Sequence, residues 1–359
     1  MQQNLRRAAG AVVIGIPTLT LVAAHFYHEK RKPVLPPCTP RDDLSNCTVL
    51  MTGATSGIGK AAALQLATSG AGFIIGARNT TRREETRTQL LKAGASSVLS
   101  LPLDTSSITS VDSFCNAVLS THSNGVDVVV SAAAEIHTEP STTSHGLDTS
   151  FATNHLGLHA MLQQLEPALL HRSQMEGVGR PRVVLIGSRL ETKGSTLLSI
   201  PTLESTNGKR YDTEKVLSPM DRYATTKFGN MLLAQSLSDR WRERGGPSVY
   251  VLTPGMVNTG LWRNFPVWYR ALTWPLRTVA LRTTEEAALG VVWAVTAVEA
   301  EKLQVKGSYV YLSDGTSIEP STAARDSAMA QKLYGVCEGL IRSAKQEKSV
   351  AGTMTEAHI

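Results

Sequence analysis

The sequence is poor in cysteine, in aromatic residues and in runs of one charge. Its 359 residues include four cysteines, which form neither a Cys-x-x-Cys pair nor a short-range pairing with histidine. Without such spacings the sequence predicts no disulfide framework and no zinc site, so we expect no metal. Cysteines scattered in this way fit a reducing compartment. The four are Cys38, Cys47, Cys115 and Cys337.

Charge is also modest. The formal net charge is +6, and the basic residues are spread along the chain apart from "EKRK" at 29–32. Because nucleic-acid binding requires a dense basic face, we expect no nucleic-acid partner, only a mild attraction to acidic membrane surfaces.

One long apolar run is present, "AAGAVVIGIPTLTLVAAHFY" at residues 8–27, with basic residues on both sides. About 20 residues rising 1.5 Å each match the roughly 30 Å hydrocarbon core of a bilayer. The run predicts a single transmembrane helix, and the proline-rich residues 33–43 predict a linker. A signal peptide, a mitochondrial presequence and a buried helix are the alternatives. More positive charge follows the run than precedes it, which favours a cytosolic body, and we expect the endoplasmic reticulum.

From residue 46 six short apolar segments alternate with helical ones, beginning with "CTVLMTG" and "GKAAALQLATSG" and ending with "VYVLTPG" at 249–255. Apolar strands that alternate with helices predict a parallel sheet covered on both faces, the doubly wound Rossmann-type α/β fold with three layers. The predicted organisation is an anchor and linker at 1–45, one α/β domain at 46–345 and a polar tail at 346–359.

A glycine-rich loop, "TGATSGIGK", lies between the first predicted strand and helix. Gly53, Gly57 and Gly59 allow a tight turn and a close approach of the backbone to a diphosphate, whose charge the helix N-terminus would meet. This context favours dinucleotide binding over a plain turn.

A tyrosine and a lysine lie four residues apart in "YATTKFGN" at 223–230. On a helix Tyr223 and Lys227 would share one face, where an ammonium group favours the phenolate and lowers the tyrosine pKa. By spacing alone, a solvated surface pair is the more common explanation.

These motifs together resemble the short-chain dehydrogenase/reductase superfamily over roughly residues 46–345. "TGATSGIG" is similar to its glycine loop, and Y-x-x-x-K is its active-site signature. Three further stretches resemble the retinol-dehydrogenase-like branch: "NHLG" at 154–157, "PGMVNTGL" at 254–261 and "DSAMAQKLYGVCEGL" at 326–340.

The resemblance implies a catalytic tetrad. Tyr223 would be the general acid/base, and Lys227 would bind the nicotinamide ribose and tune the tyrosine. Ser188 would hold the substrate oxygen, and Asn154 would support a water in a proton relay. The implied cofactor contacts are Gly53, Thr55, Ser56, Gly57, Ile58, Gly59, Arg78, Asp104, Thr105, Asn154, Tyr223, Lys227, Pro254, Gly255, Val257 and Thr259.

The end of the second strand predicts the cofactor. Relatives that prefer NAD have an acidic residue there, whereas this chain has Ala77 followed by Arg78. Arg78 suits a 2′-phosphate, with Arg82 and Arg83 as further candidates, so we expect NADP(H). Asp104 would contact adenine or, alternatively, cap the following helix.

The fourth-strand loop departs from the family. Relatives commonly have Asn-Asn-Ala-Gly where this chain has Ser131-Ala132-Ala133-Ala134. The change removes hydrogen bonds that support the sheet and directs a methyl group towards the cofactor.

Five aromatic residues lie in the segment "NTGLWRNFPVWYRALTWPLR". In relatives this region forms a lid, so an aromatic lid near a membrane anchor implies a lipophilic substrate: a retinoid, steroid, long-chain or terpenoid carbonyl or alcohol. Packing of these rings into the core is the alternative. They are Trp262, Phe265, Trp268, Tyr269 and Trp274.

The sequence therefore predicts an NADP(H)-dependent oxidoreductase at a membrane. Two alternatives are a catalytically weak NADP-binding scaffold, for which the altered Ser131–Ala134 loop is the support, and an enzyme that modifies a polar metabolite. The exact substrate, the direction of the reaction and whether the chain forms a homodimer are left open.

Overall fold

The computed structural model describes residues 43–176, 179–209, 217–298, 309–313 and 316–356. Within these ranges eight strands form one sheet in the order β3-β2-β1-β4-β5-β6-β7-β8. All neighbouring strands are parallel except the last pair, which is antiparallel. The strands are β1 (Thr48–Thr52), β2 (Gly72–Ala77), β3 (Ser97–Pro102), β4 (Val128–Ser131), β5 (Arg182–Ile186), β6 (Ser248–Thr253), β7 (Val310–Ser313) and β8 (Thr316–Ile318).

Helices cover both faces of this sheet. The longer ones are α1 (Gly57–Ala67), α2 (Thr80–Ala93), α3 (Ile108–Thr121), α4 (Gly157–Ser173), α5 (Pro219–Arg242), α6 (Val267–Ala280), α7 (Thr284–Thr296) and α8 (Ser327–Glu356). A short α-turn (Thr149–Phe151) and a π-turn (Ala152–Leu156) lead into α4. Shorter helical pieces are Glu191–Gly194, Ile200–Ser205, Gly260–Asn264 and Ala323–Arg325.

Two apolar clusters form the core, one on each face of the sheet. Successive strand residues point to opposite faces, so Leu50 joins the cluster with α3, α4, α5 and α8, while Val49 and Met51 join the cluster with α1 and α7. The predicted three-layer, doubly wound architecture is thereby confirmed, and the six strands expected from the sequence are present. The hairpin of β7 and β8 was not predicted.

Local sequence signals set several helix boundaries. The Asn79 side chain accepts a hydrogen bond from the Arg82 backbone at the start of α2, and Gly94 ends that helix with a φ of 114°. At α7, Thr283 and Glu286 form a reciprocal capping box.

Residues 1–42 lie outside the described residues, and with them the predicted anchor at 8–27. None of the described helices has both the length and the apolar character needed to cross a bilayer. At the other end, α8 continues to Glu356, so residues 346–356 extend a helix.

The order of strands reverses between β1 and β4, which are direct neighbours. In an open α/β sheet such a reversal leaves a crevice at the carboxyl ends of the strands, where ligands bind. The loops after β1, β2, β4 and β5 therefore surround the place where the candidate site must lie.

Replacement of Gly157 tests how tightly this crevice is packed from behind. A Cβ at Gly157 would lie 2.0 Å from the Thr105 carbonyl oxygen, which belongs to the loop after β3. Because this neighbour is backbone, we expect Gly157→Ala to lower the free energy of unfolding by about 1–3 kcal/mol. Denaturant titration measures the change.

Gly339→Ala is the matched control. Gly339 is exposed within α8, and no atom of the described residues lies within 4 Å of an added Cβ. This substitution should instead raise stability by about 0.5–1 kcal/mol. Equal effects of the two substitutions would contradict the close packing of α4 on the loop after β3.

Candidate active site

A cavity of about 320 Å³ opens at the reversal in strand order. The glycine loop after β1, the end of β2 and the loop after β4 form most of its wall. Of the predicted cofactor residues, five line it: Gly53, Thr55, Ser56, Arg78 and Thr105.

The three glycines of the loop are required for two different structural reasons. Gly53 and Gly57 have φ values of 74° and 55°, in the left-handed region that favours glycine. Gly59 is needed for packing, because a Cβ there would lie 2.5 Å from the Gly53 carbonyl oxygen. Gly59 therefore brings α1 close to the loop, whereas Gly53 and Gly57 contribute to the cavity walls.

A second cavity of about 90 Å³ adjoins the first and shares Ser56, Ala132, Ala134 and Arg263 with it. Five more of the predicted residues line this cavity: Gly57, Ile58, Tyr223, Lys227 and Thr259. The glycine loop and the Tyr-Lys pair, which are about 165 residues apart in sequence, thus share one wall.

Tyr223 and Lys227 lie on α5, which begins at Pro219 after the cap residue Ser218. The Lys227 Nζ lies 5.3 Å from the centre of the Tyr223 ring and donates a hydrogen bond of 2.6 Å to the Ile186 carbonyl oxygen at the end of β5. The carbonyl holds a buried ammonium group in place, and burial lowers the pKa of Lys227 to about 8.

Burial also raises the pKa of Tyr223 above its ordinary value. This direction is opposite to the one expected from the Tyr-Lys spacing, and its cause is the loss of solvation on burial. At neutral pH the Tyr223 hydroxyl keeps its proton.

Asn154 lies in the π-turn and is almost fully buried. Its side-chain oxygen accepts from the Glu135 backbone N–H, and its amide donates to the Glu135 carbonyl oxygen, both at 2.8 Å. The Asn154 carbonyl oxygen accepts from the Asn230 side chain at 3.0 Å. Asn154 thus fastens the loop after β4 to α5.

Ser188 follows the end of β5 and is half-buried. Its hydroxyl oxygen accepts a hydrogen bond of 3.2 Å from the Leu190 backbone N–H. The hydroxyl proton is not used in that bond, so Ser188 retains a donor at the carboxyl end of the sheet.

Glu135, which the sequence analysis did not identify, lines the large cavity. Its carboxylate pairs with Arg78 at the end of β2 and with Arg263 before α6. His137 lies 3.7 Å from the same carboxylate. One carboxylate thereby connects the two sides of the crevice.

The comparisons with known proteins agree with this geometry. The family model described as short chain dehydrogenase matches residues 47–200. The mouse polyprenol dehydrogenase is 30% identical, with 86% of each chain covered. The mouse retinol dehydrogenase 14 is 29% identical, with 82% of this chain and 85% of the relative covered.

This chain is a short-chain dehydrogenase of the retinol-dehydrogenase-like branch. A solved structure, the L-sorbose reductase of Gluconobacter frateurii in complex with NADPH and L-sorbose, has a TM-score of 0.55 at 19% identity. The match covers 76% of this chain and 97% of the reductase, and at this identity it supports the fold.

Short-chain dehydrogenases bind a nicotinamide cofactor, and the crevice of this member fits one. The loop glycines keep side chains out of the crevice, α1 directs its N-terminus at it, and arginines lie at the opposite wall. Gly53, Ser56 and Arg78 would hold the diphosphate and adenosine portions, while Tyr223, Lys227 and Thr259 would face the nicotinamide portion.

Several predicted cofactor residues are not among those that line either cavity. Asp104 accepts hydrogen bonds from the backbone and hydroxyl of Ser106, whereas Ser107 caps the following helix, so the alternative role of Asp104 as a helix cap is wrong. Arg282 holds the segment 254–257, because it pairs with Val257 in a β-bridge and donates to the Pro254 carbonyl oxygen. The remaining predicted cofactor residues that line neither cavity are Gly59, Asn154 and Gly255, and the predicted catalytic residue Ser188 lines neither cavity as well.

Arg82 and Arg83 have different environments in this dehydrogenase. Arg82 lines the large cavity. Arg83 is buried and donates to the Ser100 hydroxyl and the Ala77 carbonyl oxygen. Arg83 therefore supports the β2–β3 edge, and it is removed from the candidates for a phosphate contact.

The altered loop after β4 is held from β1. The Thr52 carbonyl oxygen accepts from the Ala132 backbone N–H at 3.2 Å, and the Thr52 hydroxyl accepts from the Ala133 N–H at 3.4 Å. Ala132, Ala133 and Ala134 all line the large cavity. β1 thus supplies support for a loop that lacks the family's asparagines.

The aromatic segment divides into an inner and an outer part. Trp262, Phe265 and Tyr269 form a group with ring centres 5.4–6.5 Å apart. On α6, four apolar side chains are instead largely exposed, so packing into the core does not account for the segment. These are Val267, Trp268, Leu272 and Trp274.

Glu135 provides a test of the electrostatics of the crevice. Glu135→Gln removes a negative charge beside the expected phosphate positions and releases Arg78 and Arg263. Because a charge about 4 Å away contributes on the order of 1 kcal/mol in a solvated site, we expect about fivefold tighter NADPH binding, with a steeper salt dependence. Titration of cofactor fluorescence at two salt concentrations measures both.

Glu139→Gln serves as the control, because Glu139 is exposed and lies outside the cavity walls. It should leave the NADPH dissociation constant unchanged. Weaker binding by Glu135→Gln would show instead that the carboxylate holds the two arginines ready for the cofactor.

Proposed function

We propose that this short-chain dehydrogenase interconverts a carbonyl and an alcohol on a lipophilic substrate with NADP(H), and that Tyr223 is its general acid/base. The observation that carries the proposal is the shared cavity wall, on which Tyr223 and Lys227 lie beside Gly57 and Thr259. A bound nicotinamide cofactor would supply or accept the hydride. All other steps fall to the side chains.

Tyr223 would donate its phenolic proton to the carbonyl oxygen during reduction. Since burial raises the pKa of Tyr223, the phenol is the stable form at neutral pH, which favours the role of proton donor. The Ser188 hydroxyl would donate a hydrogen bond to the same oxygen as negative charge develops on it.

Lys227 would keep its ammonium group next to the developing phenolate. The Ile186 carbonyl oxygen fixes its position, and the lowered pKa places its titration near pH 8. Proton transfer should therefore depend on the charge of Lys227 in the mildly alkaline range. Asn154 would act by positioning, because it holds the loop after β4 against α5.

The choice of NADP(H) rests on the charge at the end of β2. Arg78 and Arg82 both line the crevice there, and each carries donors suited to a 2′-phosphate. Arg78 is paired with Glu135 in this structure, so a bound phosphate would replace this carboxylate as the partner of Arg78.

A lipophilic substrate is supported by the inner aromatic group and by the names of two relatives, a retinol and a polyprenol dehydrogenase. The exposed apolar side chains of α6 lie beside arginines, a combination typical of helices that lie in a membrane interface. We propose that α6 contacts the membrane from which substrate enters. The predicted anchor and the cytosolic orientation remain predictions for residues outside those described.

Tyr223→Phe tests the mechanism. It removes the proton donor and keeps the ring, so we expect turnover of lipophilic aldehydes and ketones with NADPH to fall by about 10²–10⁴. NADPH binding, followed by fluorescence, should change little. Tyr309→Phe, which removes a buried hydroxyl bonded to the Ala324 carbonyl, is the control and should remain active.

Equal turnover by Tyr223→Phe would refute the role of Tyr223. A wild-type protein that binds NADPH and turns over none of the carbonyls would favour the scaffold alternative, for which the altered Ser131–Ala134 loop is the structural ground.

Arg78→Ala tests the cofactor. Loss of a charge-assisted phosphate contact should raise KM for NADPH about 10- to 100-fold and leave KM for NADH nearly unchanged. Arg87→Ala is the control, because Arg87 is exposed on α2, the helix that follows Arg78, and lies outside the cavity walls. A proportionate rise of KM for both cofactors would reject the 2′-phosphate contact.

Replacement of both Trp268 and Trp274 by Ser tests the membrane contact. In a form of the protein that begins at residue 43, we expect at least a tenfold loss of affinity for vesicles that contain anionic lipid. Sedimentation with vesicles measures it, and Trp241→Phe, inside the core, is the control. Unchanged vesicle affinity of the double variant would exclude α6 as the contact.

A further inference from the structure

Three side chains with metal-binding atoms meet among the helices on one face of the sheet, the face opposite to the one covered by α1. His155 lies in the π-turn, His159 follows four residues later in α4, and Cys337 comes from α8. Each is at most 1% exposed, and their ligand atoms lie within 4.8 Å of one another. Spacing along the sequence does not reveal this group, because 182 residues separate His155 from Cys337.

The orientation of the His155 ring is determined by Asn230. The Asn230 amide nitrogen donates to the Asn154 carbonyl oxygen, so its side-chain oxygen faces His155 Nδ1 at 2.9 Å. That oxygen can only accept, so Nδ1 carries the proton and Nε2 has the lone pair. The lone pair points to Cys337, whose Sγ lies 3.6 Å from Nε2.

His159 is the unexplained member of the group. Both of its ring nitrogens are buried and lack a hydrogen-bond partner among the described residues. The ring contacts the Tyr334 ring at 4.3 Å and the His155 ring edge-on at 6.1 Å. An unpaired buried polar group costs about 1–3 kcal/mol, so a partner for His159 is to be expected.

We propose that His155 Nε2, His159 and Cys337 Sγ bind one zinc ion. Tetrahedral zinc with bonds of about 2.0–2.1 Å to nitrogen and 2.3 Å to sulfur separates such ligands by roughly 3.4–3.6 Å, close to the 3.6 Å seen between Nε2 and Sγ. A nitrogen–sulfur set selects zinc over magnesium or calcium. On binding, the Cys337 thiol would release its proton to solvent, and the ion would take the thiolate, two neutral imidazoles and one water as its four tetrahedral ligands.

The surroundings support this site in one respect. The Asn230 oxygen that fixes the His155 ring is the type of outer partner that metal-bound histidines use. The widest separation, up to 4.8 Å, would have to shrink by about 1 Å, which small side-chain rotations can supply.

Such an ion would have a structural role distinct from the proposed chemistry. It would attach α8 to the turn that carries Asn154, and Asn230 would connect it to the Asn154 carbonyl oxygen. It therefore stabilises the wall behind the active site without touching Tyr223 or Lys227, and it does not depend on the proposed substrate or cofactor.

Metal analysis of the full chain, purified without a polyhistidine tag, tests the site. We expect about one equivalent of zinc by mass spectrometry. After exchange for cobalt, we expect visible absorption of tetrahedral Co²⁺ together with a near-ultraviolet thiolate-to-cobalt band. Removal of the metal by a strong chelator should lower Tm, and added zinc should restore it.

Two variants assign the ligands. Cys337→Ser should lose the thiolate band, and His159→Phe should lower the zinc content at least tenfold. Cys115→Ser is the matched control, because Cys115 is buried beside the Met161 carbonyl and belongs to no such group within the described part of the chain. It should keep both the zinc and the cobalt spectrum.

Measurements on the wild-type protein test the site without depending on the folding of a variant. Folded wild-type protein with less than about 0.1 equivalent of zinc and no thiolate band after cobalt addition would overturn it, and the Cys337–His155 contact would then be a hydrogen bond. Full zinc content in Cys337→Ser would equally overturn the assignment.

Discussion

The close contact between the Gly53 turn and the loop after β4 is the constraint on which the crevice depends. An added Cβ at Gly53 would lie 2.6 Å from the backbone of Ala132, and one at Gly59 would lie 3.0 Å from the Ala132 side chain. β1 and β4 are paired directly, so their loops must pass one another at this distance. The small residues on both loops leave the space in which a dinucleotide fits, and Asn154 keeps the second loop in place from behind.

Charge in the crevice is arranged around buried or half-buried groups that lie close together. Glu135 draws Arg78 and Arg263 together across the opening, while the Ile186 carbonyl oxygen holds Lys227 below it. Loss of solvation moves the pKa values of Tyr223 and Lys227 towards their neutral forms. The crevice thus has the cationic side chains of Arg78 and Arg263 at its rim, whereas burial favours the neutral forms of Tyr223 and Lys227 in the second cavity.

Much of the fold follows from patterns within short stretches of sequence. Apolar runs bounded by helices predicted β1 to β6, and the glycine loop and Tyr-Lys spacing placed Gly53, Tyr223 and Lys227 at the cavities. Features set by distant pairing, by very short strands or by the rotation of a helix were not accessible in this way. Glu135 matters because of Arg78 and Arg263, the β7–β8 hairpin is short, and Arg83 differs from Arg82 only by the rotation of one helical residue. The tyrosine pKa depends on burial, which spacing does not reveal.

The exposed face of α6 has a practical meaning for work with the isolated protein. Trp268 and Trp274 are 68% and 61% exposed, next to Val267 and Leu272 at 76% and 74%. A shortened chain that begins at residue 43 would still carry this apolar area in water, where such patches cause self-association. Its colloidal behaviour, including its apparent molecular mass, should therefore vary with detergent and protein concentration independently of any anchor.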